Sequence, residues 1–348
     1  MDTDGRELLS RHNPILVLFP QDPHGRRRPG AGRPGAAGWG DYHPCPAEFF
    51  LARARHRTRP ASLAALLLRR AWQRGQRTGL EALRRTLAGV DPGDTCDWEL
   101  DLPDVPSQNE ARAWKTYGRL LLETEAPYEA VTYSRCVEGP SGRALQYWYL
   151  YLYNDFRNNH EADWESVVIE LGEGGAPVQV GVSCHQRGYR RPWPSTPKDG
   201  ERPLVYVARG SHGGYFGYRG EGYSPLELYN TTRLPALARF ISPAFRRRPT
   251  LRRWLDRPPA DPRIDTAPEH HVGVRVEPAL RVVPEVLPAD DPAWWWLRYQ
   301  GTWGSARNRL AGTVGVDSPW GPRGQTERWH DPVAWLRSLR DDVPELGD

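Results

Sequence analysis

The chain has 348 residues, 39% hydrophobic and 26% charged, with a formal net charge of +4; this supplies a sizeable core and excludes wholesale disorder. Thirty-four glycines and 34 prolines argue against a helical bundle, whereas 15 Trp and 15 Tyr suit pleated sheets and ligand-facing walls. The positive charge is almost all arginine, scattered rather than gathered on one stretch, so no nucleic acid is expected as a partner.

The acidic opening, MDTDGRELLSRHN, lacks the features of a signal peptide, and no run approaches the ~18 apolar residues of a membrane span. A cytoplasmic location follows as the expectation. Cys45, Cys96, Cys136 and Cys184 form no CxxC pair, which points to free thiols rather than a zinc ribbon or a disulfide framework.

In chain order, Asn13 to Pro20 reads as a buried strand, and the Gly/Pro/Arg tract 25–38 as a surface loop. Apolar residues at helical spacing from Ser62, with a second such stretch near Asn109 to Glu123, predict a helical insertion over 62–123. These arginine-studded helices pack on a sheet in the simplest reading; a membrane-surface or partner role is the alternative. ALQYWYLYLYNDF alternates with Tyr on one face and Trp/Leu on the other, the pattern of a central strand. DWESVVIEL, APVQVGVSCH and RPLVYVARGSH are three further strands, and HVGVRVE another. The aromatic segments PAWWWLRYQGTWG and SPWGPRGQTERWHDP read as loops, and DPVAWLRSLR as a closing helix. The sum is a mainly β protein, an antiparallel β-sandwich with peripheral helices, in one domain over 1–348.

The chemistry gathers at strand ends. If a strand starts at Asp163, then Asp163 and Glu165 share a face, about 7 Å apart, and repel each other unless a cation or proton intervenes. His160 precedes them in the turn, His185 ends the next strand, and His212 sits in a turn whose glycines, Gly210, Gly213 and Gly214, allow positive φ. His160, Asp163, Glu165 and His212 are the expected metal ligands, for a divalent cation such as Mg²⁺, Ca²⁺ or Mn²⁺. Cys184 lies on the opposite face from His185, which excludes a thiolate–imidazole couple there.

The ordered blocks YWYLYLYND, HEADWESVVIEL, VSCHQRG, PLVYVARGSHGGYF, WLRYQGTWG and PWGPRGQTERW resemble the vacuolar protein sorting-associated protein 62 family. HEADWE is also similar to the GHRHDWE heptad of the necrosis- and ethylene-inducing peptide-like proteins, β-sandwich toxins that hold a divalent cation and recognise membrane glycolipid headgroups. The resemblance implies a β-sandwich with an acidic, cation-holding cavity, in which His160, Asp163 and Glu165 match the heptad. Asn159 and Ala162 depart from it, standing where the heptad has glycine and a second histidine.

The function expected is cation-dependent recognition of an anionic or polyhydroxyl ligand: a small molecule, a lipid headgroup or a glycan, with peripheral membrane contact included. Trp148, Trp193, Trp303 and Trp320 are candidates for an aromatic rim, and Arg187 and Arg209 for anion contacts. A metal-dependent enzyme, a hydrolase or cyclase, is the alternative, with Glu165, His185 or His212 in the catalytic roles. A structural or interaction module, its carboxylates and histidines only tying loops together, is the third.

Overall fold

The computed structural model describes residues 3–18, 43–58, 98–102, 128–154, 160–185, 187–208, 212–217, 274–285, 287, 291, 293–304 and 319–342. Helix α1 (Thr3–Arg11) leads into β1 (Ile15–Leu18), followed by α2 (Ala47–Leu51), β2 (Arg55–Thr58) and β3 (Trp98–Asp101). The long strands come next: β4 (Val131–Gly139), β5 (Gly142–Asn154), β6 (His160–Leu171), β7 (Pro177–Cys184) and β8 (Arg187–Pro192). Short strands then alternate with loops: β9 (Lys198–Asp199), β10 (Arg202–Val207), β11 (Gly214–Tyr215), β12 (Val274–Val276), β13 (Ala279–Val282) and β14 (Thr302–Trp303). Helices α3 (Thr326–His330) and α4 (Pro332–Ser338) precede the last strand, β15 (Arg340–Asp341).

The protein is mainly β. A seven-stranded sheet, ordered β13-β4-β5-β6-β7-β8-β15, forms the centre. Its inner strands are antiparallel hairpins closed by glycine turns: Gly142 (φ 139°) between β4 and β5, Gly174 (69°) and Gly175 (78°) between β6 and β7. The edges of this sheet are parallel, β13 joining β4 and β15 joining β8. Parallel edges arise when strands return from far along the chain, beyond the reach of local turn signals.

β5 shows why both faces are covered. Leu145, Tyr147, Tyr149 and Tyr151 enter a core shared with Leu16, Val205 and Val207 of the sheet containing β1 and β10. Trp148, Leu150 and Leu152 enter a second core with Phe50 and Leu51 of α2, Leu100 of β3 and Trp303 of β14. The alternation read from the sequence thus becomes a sheet buried on both sides. α4 lies over Ala144 and Val168 and contributes Val333, Trp335 and Leu336 to a smaller cluster.

Three expectations change or fall elsewhere. Within 62–123, residues 98–101 form strand β3, paired with β2 and β14, so that part is sheet rather than helical insertion. The remaining stretches of that insertion with helical spacing, and the loop 25–38, lie outside the described residues. The segment QTERWHDP, read as loop, forms α3 and the start of α4, whose first turn is capped by Asp331 accepting from Ala334 N–H at 3.2 Å.

Candidate metal centre

Asp163 and Glu165 sit on β6 opposite Tyr151 and Tyr149 of β5, and both are buried. β6 begins at His160, so this histidine lies within the strand rather than in a preceding turn. The strand is not regular there. Ala162 has φ 54°, and the pairing of Tyr151 with Asp163 and of Tyr153 with Glu161 passes over it. The consequence is a change of phase. Glu161 turns to the β3 side, where its carboxylate accepts from Leu102 N–H at 2.9 Å, while Asp163 faces the other side. His160, at an odd spacing from Asp163, thereby falls close enough for the Asp163 charge to act on it.

His185 follows β7 at φ 59°, and His212 precedes β11 at φ 58°. With Ala162, three of the four non-glycine residues of positive φ among the described residues stand at this one place. Such conformations cost roughly 1–3 kcal/mol each and persist where surrounding contacts enforce them. The glycines near His212 act differently from the expectation: the histidine itself takes the left-handed conformation. Gly213 serves close approach, since a Cβ there would lie 2.5 Å from Cys184 Sγ. That contact brings the His212 turn against the end of β7. The turn is tight, with Ala208 N–H donating to Gly213 at 2.9 Å and His212 N–H to Ala208 at 3.0 Å.

Each carboxylate has one oxygen held by other side chains and one directed at His185. Asp163 Oδ2 accepts from Asn154 Nδ2 at 2.9 Å and lies 3.3 Å from His212 Nδ1; Oδ1 is 3.7 Å from His185 Nδ1. Glu165 Oε2 accepts from the Ser183 hydroxyl, and Oε1 accepts from His185 N–H at 2.9 Å and is 3.2 Å from His185 Nδ1. Ligand atoms of Asp163, Glu165 and His185 all lie within 4.8 Å of one another. His212 is stacked on Tyr151 at 4.1 Å and 6°, with a fully buried side chain. It orients Asp163 from behind. His185, expected in a catalytic role, therefore stands in the donor group, while His160 and His212 flank it. His160 Nδ1 is buried with no hydrogen-bond partner among the described residues.

The protonation states follow from these contacts. Burial opposes charge on Asp163, but hydrogen bonds and charge from His185, then His212 and His160, hold its pKa well below the usual carboxylate range. Burial also opposes charge on His185, and Asp163 followed by Glu165 outweighs it, raising that pKa well above 6.5. Burial lowers the pKa of His160, with Asp163 partly offsetting it.

Arg328 of α3 lies in the sequence block PWGPRGQTERW, outside the expected site residues. It is buried, donates to the His185 carbonyl and lies over the rings of Trp335 (4.8 Å) and Trp148 (5.6 Å). Burial brings its pKa down to about 10 against the opposing charges of Glu165 and Asp163. Trp148 thus supports an arginine from the opposite core. It is no rim residue, and neither is Trp303, which is also fully buried in that core. Trp320 is 36% exposed but bridges to Thr302, whose neighbour Trp303 lies in that same core, so it too sits away from the carboxylates. Trp193 packs edge-on against His12 at 5.3 Å with the Lys198 ammonium 4.9 Å above its ring, again away from the centre. Arg187 is exposed opposite Cys184, next to the centre; Arg209 lies outside the described residues.

In the metal-free protein the two shifts act on stability from opposite ends of the pH scale. The depressed Asp163 pKa contributes stability that is present above about pH 4 and lost as pH falls through the folded value. The raised His185 pKa contributes stability that is complete below about pH 6.5 and lost as pH rises through the folded value. Urea midpoints measured in chelator are expected to peak between those limits, and His185→Gln to flatten the alkaline side. An unchanged alkaline slope in the variant contradicts the assignment.

No family model matches the chain, and no curated protein matches it. Solved structures do. Necrosis and ethylene inducing protein 2 from the causal agent of cocoa's witches' broom disease is similar at 20% identity and TM-score 0.21, over 24% of this chain and 43% of that one. NLPPya in complex with mannosamine matches at 22% identity and TM-score 0.23, over 25% and 44%. NLPPya in complex with glucosamine matches at 23% identity and TM-score 0.23, over the same shares. The chain thus spans less than half the length of these structures. Among the described residues no helix is long and apolar enough to cross a membrane.

Proposed function

We propose that this chain binds a divalent cation through Asp163, Glu165 and His185 and presents it to an anionic or polyhydroxyl ligand. The convergence of three donor atoms within 4.8 Å carries the reading. Around one cation at ~2.0–2.4 Å, adjacent donors stand about 3 Å apart; the observed 3.2 Å and 3.7 Å need only small adjustment. Two hard oxygens with one imidazole suit Mn²⁺ best, with Mg²⁺ next, because imidazole is a poor partner for Ca²⁺. Three protein donors leave open positions for water, a sugar diol, or a phosphate or carboxylate oxygen. Of the three side chains, only His185 reaches solvent appreciably, at 23% exposure, so the ligand would approach from its side, beside Arg187.

Binding is favoured over catalysis because His212 is fully buried and both Glu165 oxygens already accept hydrogen bonds.

Calorimetric titration with Mn²⁺ is expected to show one site per chain and a melting temperature that rises with Mn²⁺ concentration. Glu165→Gln is expected to weaken binding by ~100-fold or more, since it removes a direct donor. Equal Mn²⁺ affinity in the variant, or a melting temperature indifferent to both Mn²⁺ and chelator, overturns the proposal.

A further inference from the structure

A cleft lies at the edge of the central sheet. β13 pairs with β4 only from Val131 to Ser134, and its chain then turns away, Val283 N–H donating to Ser134. The remainder of β4 has no strand on that side among the described residues. Between this free edge, the chain after β13, and α3 opens a cavity of about 410 Å³.

Its lining is unusual in charge. Arg135 and Arg323 face it, with Trp329 and His330 of α3. The Arg135 guanidinium lies 4.1 Å above the Trp329 ring, which fixes it in the cleft. Neither Arg135 nor Arg323 has a carboxylate partner among the described residues. Four other strand arginines are paired, Arg190 with Asp341, Arg191 with Asp342, Arg202 with Glu277 and Arg281 with Glu48. Glu138 and Glu285 also line the cleft but are exposed on its rim. The charges that act on Arg135 and His330 are instead those of the neighbouring cations. Burial and then Arg323 bring Arg135 down to about 10, and burial, Arg323 and Arg135 lower His330. Arg323 is itself lowered by burial and Arg298. Cations gathered in a partly dry cleft repel one another, an arrangement that an anion relieves.

We propose that this cleft is a second ligand site, binding a phosphate- or sulfate-type oxyanion between Arg135 and Arg323. It is separate from the metal centre: Arg135 pairs with Gln146 and Asp163 with Tyr151, five positions apart on β5, or about 17 Å along the strand. Guanidinium groups bind such oxyanions in a bidentate fashion. The volume falls in the range of small-molecule sites, and Val283 and Leu287 add an apolar wall. The occupant is therefore a small phosphomonoester, its phosphate on the arginines and its carbon body against that wall, rather than a free ion alone.

Titrations with inorganic phosphate, sulfate and glucose 6-phosphate, all in chelator, separate these sources. Saturable binding is expected for the phosphomonoester, tighter than for either free ion and weakened by added salt. Arg323→Gln is expected to lower that affinity at least tenfold while leaving Mn²⁺ binding unchanged. Because Arg323→Gln removes like-charge repulsion, its melting temperature without ligand should be no lower than that of the wild type, whereas a purely structural arginine would lower it. Arg135→Gln serves as the second variant. Absence of binding by all three probes at millimolar concentration, or undiminished binding in both variants, overturns the proposal. Binding of the free ions as tightly as of glucose 6-phosphate overturns the phosphomonoester assignment.

Discussion

Asp163→Asn is expected to destabilise the protein by about 3–5 kcal/mol, the range for removing one partner from a buried charged network. The carboxylate is buried, accepts from Asn154, and faces both His185 and His212. An amide cannot balance the imidazolium of His185, and its NH₂ group would be set against the donors that Asp163 now satisfies. The pKa of His185 should fall at the same time, because Asp163 is the largest influence raising it. Urea unfolding in chelator measures the first effect, and NMR titration of the His185 ring the second. A loss below about 1 kcal/mol with an unmoved His185 titration contradicts the electrostatic account.

Arg328→Met is expected to cost about 1–3 kcal/mol, the cost of leaving the His185 carbonyl without its donor. Methionine preserves much of the volume between Trp148 and Trp335, and burial already disfavours the guanidinium charge, so the loss reports that hydrogen bond rather than a cavity or an ion pair. The same bond helps hold His185 in its left-handed conformation. Mn²⁺ affinity should therefore drop about tenfold or more, in keeping with the effect of a residue that supports a ligand. Arg328→Lys should restore little of it, because an ammonium lacks the flat face that lies on the two indoles. Unfolding and Mn²⁺ titration of the pair test this. Full recovery by lysine would show that charge alone is needed.

Much of the frame was legible from residue order. The strict Tyr and Trp/Leu alternation from Tyr147 to Leu152 identifies β5 as a central strand, and it separates the two cores. The i, i+2 spacing of Asp163 and Glu165 places both on one face, and His185 at the end of an apolar run lands beside them. What was not legible depends on backbone geometry or distant pairing. Nothing local announces that Ala162 takes a positive φ, yet this sets the direction of Glu161 and draws His160 into its strand. The glycines around His212 suggested turn freedom, whereas the structure uses Gly213 for proximity to Cys184. Tryptophan chemistry suits rims and cores alike, and only burial assigns Trp148 and Trp303 to the core. Arg328 carried one faint signal, an arginine inside an aromatic segment, but its partner is 143 positions away.

Helix α3 links the candidate metal centre to the cleft. Arg328 and Trp329 are consecutive, and successive helical side chains diverge by about 100°. One reaches the carbonyl of His185; the other floors the cleft beneath Arg135. A single five-residue turn thus touches both the candidate metal centre and the cleft. If seating a phosphomonoester shifts that turn, cation affinity changes by some factor, and the cation must alter phosphomonoester affinity by the same factor, because linkage between two equilibria is reciprocal.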